Sequence, residues 1–289
     1  MDRSASRSTW LDVLITALAP AIWGSTYIVT TEILPPDRPF TAALLRALPA
    51  GLLLVLYSRY LPRRSEWPRL LVLAALNIGF FQPLLVMGLV WSMDQQRPAS
   101  VAVAASVVGI AGMAALLLAP GASWDPIGIA AAFIGTACMA SGTYLTRRWR
   151  PTVPLLAFTG WQLLIGGLFL LPVAWLIDPP LPQLSPLQWL GYAYLSLFGA
   201  LLAYVLWFRG IARLAPVAVS SLGLLSPLVA VLLGWALLGQ SITGVALLGL
   251  TAVLGSILAV QWATAAKPAV AAPHVKVARC TTPTAQGDN

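Results

Sequence analysis

Charge is what this chain has least of. Only 9% of its 289 residues are Asp, Glu, Lys or Arg, where a soluble domain of average usage carries about 25%. So few charges cannot cover a globule and keep it in solution. A soluble enzyme and a disordered chain are excluded on that ground. Histidine is almost missing: the one copy, His274, lies in the C-terminal stretch. Of the two cysteines, Cys138 falls in an apolar run and Cys280 in a polar tail. That leaves no disulfide framework and no Cys/His set at metal-ligand spacing. No His-Glu-x-x-His or Gly-x-Ser-x-Gly element is present, and the acids lie mostly in loops or at span ends. No enzyme activity and no cofactor are expected. The net charge of +8 does not point to nucleic acid in so apolar a chain; it marks the cytoplasmic side of a bilayer.

What the chain has is apolar length. Hydrophobic residues make up 59%, and a bilayer core takes about 20 of them per helix. Spans are expected near Leu11–Leu34, Phe40–Tyr60, Arg69–Trp91, Pro98–Leu118, Pro126–Thr146, Pro154–Ile177, Leu187–Phe208, Pro216–Leu238 and Ile242–Ala263. Turn chemistry separates them at Pro35-Pro36-Asp37, Pro62-Arg63-Arg64, Pro120-Gly121, Asp178-Pro179-Pro180 and Gly239-Gln240-Ser241. Lys267 to Asn289 is rich in Ala, Pro and Thr and reads as a disordered tail.

A literal count gives nine spans, and the basic residues argue for ten. With nine, Arg147, Arg148, Arg150, Arg209 and Arg213 fall outside the cell. One further span between Arg69 and Arg97 returns them all to the cytoplasm and leaves only Arg38 outside. An internal repeat agrees. Thr26-Tyr27 matches Thr143-Tyr144 at an offset of 117, Arg46 and Gly51 match Gln162 and Gly167 at 116, and Gly79 matches Gly199 at 120. Then Pro83-Leu84 and Trp91 match Pro227-Leu228 and Trp235 at 144. The offset jumps by about two dozen within a few residues, so about two dozen residues are absent between Gln82 and Pro83 relative to the second half. The expected fold is an all-α polytopic membrane protein of ten transmembrane helices, in two inverted five-helix repeats. Residues 1–118 form the first repeat, incomplete near 82/83, residues 126–263 the second, and 264–289 the tail. An odd number of helices per repeat forces opposite orientations, a hallmark of secondary transporters with a site near the midplane.

Ala21-Ile22-Trp23-Gly24-Ser25-Thr26-Tyr27, with Leu201–Leu214, Ala218–Ser221 and Leu225–Gly239, resembles the drug/metabolite transporter superfamily, EamA type. The resemblance covers about residues 10 to 263. The family usually has Glu where Gln240 stands. Within it the chain is most similar to bacterial aromatic amino acid exporters. The resemblance implies a multi-pass inner-membrane carrier with both termini cytoplasmic, exporting aromatic or large apolar amino acids by alternating access. A carrier of another small solute (a cofactor, nucleoside or drug) is the alternative, and a channel the next. Expected partners are the amino acid substrate and the lipid bilayer, with no nucleic acid.

Candidate substrate-binding residues follow from side chains that lipid would not tolerate or that suit an amphipathic cargo. Asn77 and Gln82 carry amides that lipid cannot satisfy, and Gln162 is the repeat mate of Arg46. Trp23, Tyr27, Tyr144, Trp161 and Tyr204 offer a flat apolar face plus one donor; helix packing is their other use. Ser221 lies deep, where a hydroxyl either faces a cavity or bonds its own backbone. Glu32 and Arg46 are ionisable residues within spans, Arg46 suiting a cargo carboxylate or a pair with Glu32. Pro83 and Pro227, repeat mates, are candidate hinges. No carboxylate lies at mid-depth, so transport is expected to be facilitated, not proton-coupled. An intact mass clearly above 30.6 kDa would show that the segment between Gln82 and Pro83 exists in the protein; a match would show that the shortening is real.

Overall fold

The structure is a computed structural model. It describes residues 3–79, 141–149, 152–239 and 244–265, with isolated helical positions at 104, 108, 111 and 138. Gln82, Pro83, the expected span 98–118, most of 126–146 and the tail beyond 265 lie outside the described residues. Every described element is helical. α1 (Arg3–Ile28) continues into a π-helical turn, Val29–Ile33, and is followed by α2 (Pro39–Ser58) and α3 (Trp67–Gly79). α4 covers 141–149 and α5 Leu155–Ile177. α6 runs Pro186–Arg213 with a π-helical stretch at Leu195–Leu202. α7 (Pro216–Leu222), α8 (Leu225–Leu238) and α9 (Val245–Ala265) complete the set.

Six stretches among the described residues are long and apolar enough to cross a membrane: Thr9–Ile33, Pro39–Ser58, Leu155–Ile177, Pro186–Arg213, Val217–Leu238 and Leu247–Thr264. The protein is a multi-pass membrane protein. Its outer surface is apolar, with Leu56, Trp175, Leu176, Leu190, Leu248 and Trp262 all more than 60% exposed, as lipid-facing positions must be. Helix starts carry Pro at the first turn in α2, α6 and α7. Ser185 and Gln188 form a reciprocal capping box on α6.

Two boundaries differ from the sequence expectation. α6 extends past Phe208 to Arg213, because Asp12 takes the charge that would otherwise end the span: its Oδ1 accepts from Arg209 at 2.6 Å and Arg213 at 3.3 Å. The span from Pro216 is interrupted at Gly223–Leu224 between α7 and α8. Pro227 has no N–H for the Gly223 carbonyl, which accepts from the Ser226 N–H at 3.2 Å instead. The break therefore sits one turn before the proline.

The bundle is organised about α2 and α5, which pack along their length. A Cβ on Gly51 would overlap the Leu164 backbone, one on Gly167 would meet Leu48, and one on Gly160 would meet Leu54 and Val55. The register on one helix falls as it rises on the other, so the two run antiparallel. Their ends are stitched accordingly. Asp178, just past α5, accepts from the Thr41 N–H in the first turn of α2. At the other end the Trp161 Nε1–H donates to the Tyr60 carbonyl at 2.9 Å, and Trp161 meets the Trp67 ring edge-on.

Arginines crowd that second end. The Arg147 guanidinium donates to the Leu214 carbonyl at 2.6 Å, beside the Asp12–Arg209–Arg213 cluster. Glu66 accepts from the Arg63 N–H at 2.7 Å, the Thr152 hydroxyl at 2.9 Å and the Tyr60 hydroxyl at 3.3 Å. The opposite end holds Arg38, which donates to Pro36 and Pro180 carbonyls.

Three outcomes follow. Gly51→Val forces apart a glycine contact with no room for a side chain and should cost about 1–3 kcal/mol, read as a lower melting temperature in detergent. Gly255→Ala, where nothing among the described residues lies within 4 Å, should leave the protein equal or slightly more stable. The Arg63 N–H, foremost, holds the Glu66 carboxyl below its ordinary value. A depressed folded-state value means that the contribution is present above about pH 4.5 and is lost as pH falls through the folded value. Glu66→Gln should therefore melt below wild type at pH 7, with the gap closing as pH falls through the depressed carboxylate value.

Candidate functional site

One carbonyl gathers the first part of the site. In the π-helical stretch of α6 the wider turn shifts carbonyls off the regular ladder, an arrangement found often at functional positions. Gly199 lies there, and a Cβ on it would strike Thr26 Cγ2 at 2.9 Å. With no side chain in the way, Trp23 Nε1 and Arg46 Nη2 both donate to the Gly199 carbonyl, at 2.9 and 2.8 Å. Arg46 is the eighth residue of α2, about 10 Å from its start at 1.5 Å per residue. It is half-buried, and among the described residues the Gly199 carbonyl is its one hydrogen-bond acceptor. Its remaining donors stay available to a ligand. Glu32, the pairing partner open from sequence, is exposed in the π-turn of α1. One turn from Trp23, Tyr27 is 53% exposed. On the same helix the Ser25 hydroxyl lies 2.6 Å from the Tyr194 hydroxyl, and Tyr194 stacks on Phe198.

An aromatic column leads inward from this point. Trp23 meets Tyr204 and Trp207 at centroid separations of 5.2 and 5.3 Å. Tyr204 continues to Phe208 at 5.9 Å, and Phe208 to Phe158 at 5.2 Å. The Tyr204 hydroxyl donates to the Asn77 carbonyl at 3.4 Å. There the second polar group begins. Asn77 Nδ2 donates to Gln162 Oε1 at 2.7 Å and to Thr146 Oγ1 at 3.5 Å, and the Thr146 hydroxyl donates to the Gly142 carbonyl. Asn77 and Gln162 are 2% and 0% exposed. Among the described residues, Asn77 Oδ1 and Gln162 Nε2 have no hydrogen-bond partner. Gln162 is the eighth residue of α5, the same place that Arg46 holds in α2.

Of the residues expected from sequence, the structure brings together Trp23, Tyr204, Asn77 and Gln162, with Tyr27 one turn from Trp23. The others lie apart from them. The Tyr144 hydroxyl accepts from Arg148 at 2.8 Å, and Trp161 is engaged with Tyr60 and Trp67 at the arginine-rich end. Ser221 accepts from Gln261 Nε2 at 2.9 Å, a donor shared with the Ala218 carbonyl. Gln82 and Pro83 lie outside the described residues. Sequence reasoning missed Gln261, whose amide in an apolar run is the signal that picked out Asn77, and Thr146, which carries no signal of its own. It also missed the Gly199 carbonyl, because a backbone acceptor leaves no mark in a side-chain pattern. No group of three or more His, Cys, Asp or Glu stands together among the described residues. The arrangement is equipped to bind: a cation with free donors beside aromatic faces.

Comparison with known proteins decides the family. Residues 126–262 match the EamA-like transporter family. Protein PecM of Dickeya dadantii is 43% identical over 268 residues, covering 84% of this chain and 90% of PecM. The chain belongs to the EamA-like transporter family. Other relatives include a WAT1-related chloroplastic protein of Arabidopsis thaliana, 28% identical over 90% of this chain and 71% of its own length. The uncharacterised inner membrane transporter YedA of Escherichia coli is 27% identical over 86% of this chain and 91% of its own. A solved crystal structure superposes with a TM-score of 0.69 at 17% identity, covering 88% of this chain and 97% of that one, a likeness of fold. The resemblance read from Trp23-Gly24-Ser25-Thr26-Tyr27 and the later helices is thus to the right family.

Proposed function

We propose that this EamA-type transporter is an inner-membrane carrier exporting amino acids, aromatic or otherwise large and apolar, by alternating access through a central site. The observation that carries the reading is Arg46: a half-buried guanidinium with unclaimed donors, within reach of the Trp23–Tyr204 aromatic column. An arginine fork suits a carboxylate, and the adjoining rings suit an apolar side chain. Trp23, Tyr27 and Tyr204 are the residues assigned to that side chain. The cargo's ammonium has the carbonyls of the π-helical stretch as acceptors. A carrier of another anionic small solute fits the same guanidinium and is the alternative.

The carrier reading goes with ten helices in two inverted repeats, and several observations support it. Gly51 and Gly167 are repeat mates at the offset of 116, as are Leu48 and Leu164. Gly51 packs on Leu164 while Gly167 packs on Leu48, the exchanged contacts that a two-fold relation produces. α3 packs on α5 and its mate α6 packs on α2, again an exchange. α2 and α5 run antiparallel, as inverted mates must. The proposed gap also has support: the alignment with PecM spans 268 positions, whereas 84% of 289 is about 243 residues, about 25 fewer. The arginine-rich end is assigned to the cytoplasm. α1 begins there, through Asp12, and α9 ends there, since Gln261 donates to the Ala218 carbonyl near the start of α7. Both termini are accordingly placed inside.

Labelled phenylalanine should enter proteoliposomes of the purified protein saturably, and faster when unlabelled phenylalanine is inside. Arg46→Gln should raise the KM by about 10-fold or more through loss of a charge-assisted bond. Absence of uptake by folded, full-mass protein would move the assignment to another solute.

A further inference from the structure

The two mates Arg46 and Gln162 occupy the same position in their helices and are in opposite conditions. Arg46 is half-buried with donors to spare. Gln162 is fully buried and engaged by Asn77 across two helices that belong to different halves of the chain. A carrier that alternates access must be shut on one side of its site while the other is reachable. The closed member of the pair lies toward the arginine-rich end, about 10 Å from the start of α5.

We infer that the Asn77–Gln162 amide pair is a latch that holds the arginine-rich end of the bundle shut, and that both residues act on transport by setting how often that end opens, without contacting cargo. This rests on the alternating-access reading. Three details fit a latch better than a binding surface. Neither amide is accessible to a solute, at 2% and 0% exposure. The Tyr204 hydroxyl reaches the Asn77 backbone carbonyl, tying the latch to the aromatic column, so that a ring displaced there is felt at the amide pair. The closed state is also only partly satisfied: among the described residues, Asn77 Oδ1 and Gln162 Nε2 stay unpartnered. Opening hydrates both, which offsets the loss of the one good bond and keeps the two states close in free energy. Gly142 completes the device. A Cβ there would overlap the Asn77 carboxamide, so the glycine lets α4 cover the pair.

The test reads accessibility and needs no cargo. In a background with Cys138→Ala and Cys280→Ala, Thr143→Cys, which is 1% exposed beside the latch, reports on opening. A membrane-impermeant maleimide is applied from the arginine-rich side of oriented proteoliposomes. Asn77→Ala and Gln162→Leu should each speed labelling by about 5- to 10-fold, the loss of one buried hydrogen bond. The double variant should be no faster than either single one, since both remove the same bond. Gly142→Ala should act like them by pushing on the Asn77 carboxamide while leaving both amide residues in the chain, and it keeps the test open if a polar variant does not fold. Any change in KM for phenylalanine should not exceed the change in labelling, because both follow from the same shift in opening. Unchanged labelling in variants that remain monodisperse overturns the latch, and a raised KM with unchanged labelling makes the pair a cargo contact. A protein that labels as expected yet moves no phenylalanine loses the cargo assignment and keeps the latch.

Discussion

In a bilayer, helices gain nothing by hiding apolar faces from one another, because lipid tails are as apolar as leucine. What holds a bundle in one arrangement is contact too close for lipid to replace. Here that contact is the crossing of α2 and α5, where Gly51 and Gly167 let each backbone lie against the other's leucines. Antiparallel registry then puts Asp178 over the start of α2 and Trp161 under its end. It also sets Arg46 and Gln162 at matching distances from opposite faces. The candidate site is a product of this crossing: move it by one turn and the guanidinium no longer meets Gly199.

The second constraint is that polar groups within the membrane must find partners in the protein. The chain meets it unevenly. Most buried hydroxyls bond carbonyls three or four residues back, as Thr26, Thr146, Thr159 and Ser256 do. Other buried polar atoms have no partner among the described residues, and they lie in several places: Asn77 Oδ1 and Gln162 Nε2 where α3 and α5 meet, Tyr192 Oη and Ser196 Oγ on α6, and Gln261 Oε1 on α9. What sets the candidate site apart is that its two amides adjoin the aromatic column, which in turn meets the half-buried Arg46 at the Gly199 carbonyl.

The broad architecture was legible because it rests on quantities that sequence carries directly. Apolar length marks a span, Pro and Gly mark its ends, and the six spans described begin within a few residues of where those signals lie. Repeat offsets put Gly51 and Gly167 in correspondence before any contact was known. Asn77 stood out because an amide in an apolar run has few tolerable positions, and Gln162 because the repeat offset sets it opposite Arg46. Less legible were features that depend on two helices at once. That Arg46 meets a backbone carbonyl and not Glu32, or that Trp161 serves a helix end, is decided by tertiary register. The interruption at Gly223 was signalled by Pro227, though its position one turn earlier follows only from which carbonyl the proline leaves free.

The π-helical stretch of α6 has a consequence for how this gene can change. Each residue of an α-helix turns the chain by about 100°, and the widened turns at Leu195–Leu202 hold an azimuth that the following helix inherits. Tyr204, Trp207, Phe208 and Arg209 all lie downstream and all have partners on α1, α3 or α5. Loss of a single codon in that stretch would swing these four side chains together by more than a quarter turn, presenting to lipid the face that now meets Trp23 and Asp12. Substitutions there alter one contact at a time, whereas a one-codon slip severs the column and the arginine cluster in a single event. Length, more than composition, is what inheritance must preserve in this segment.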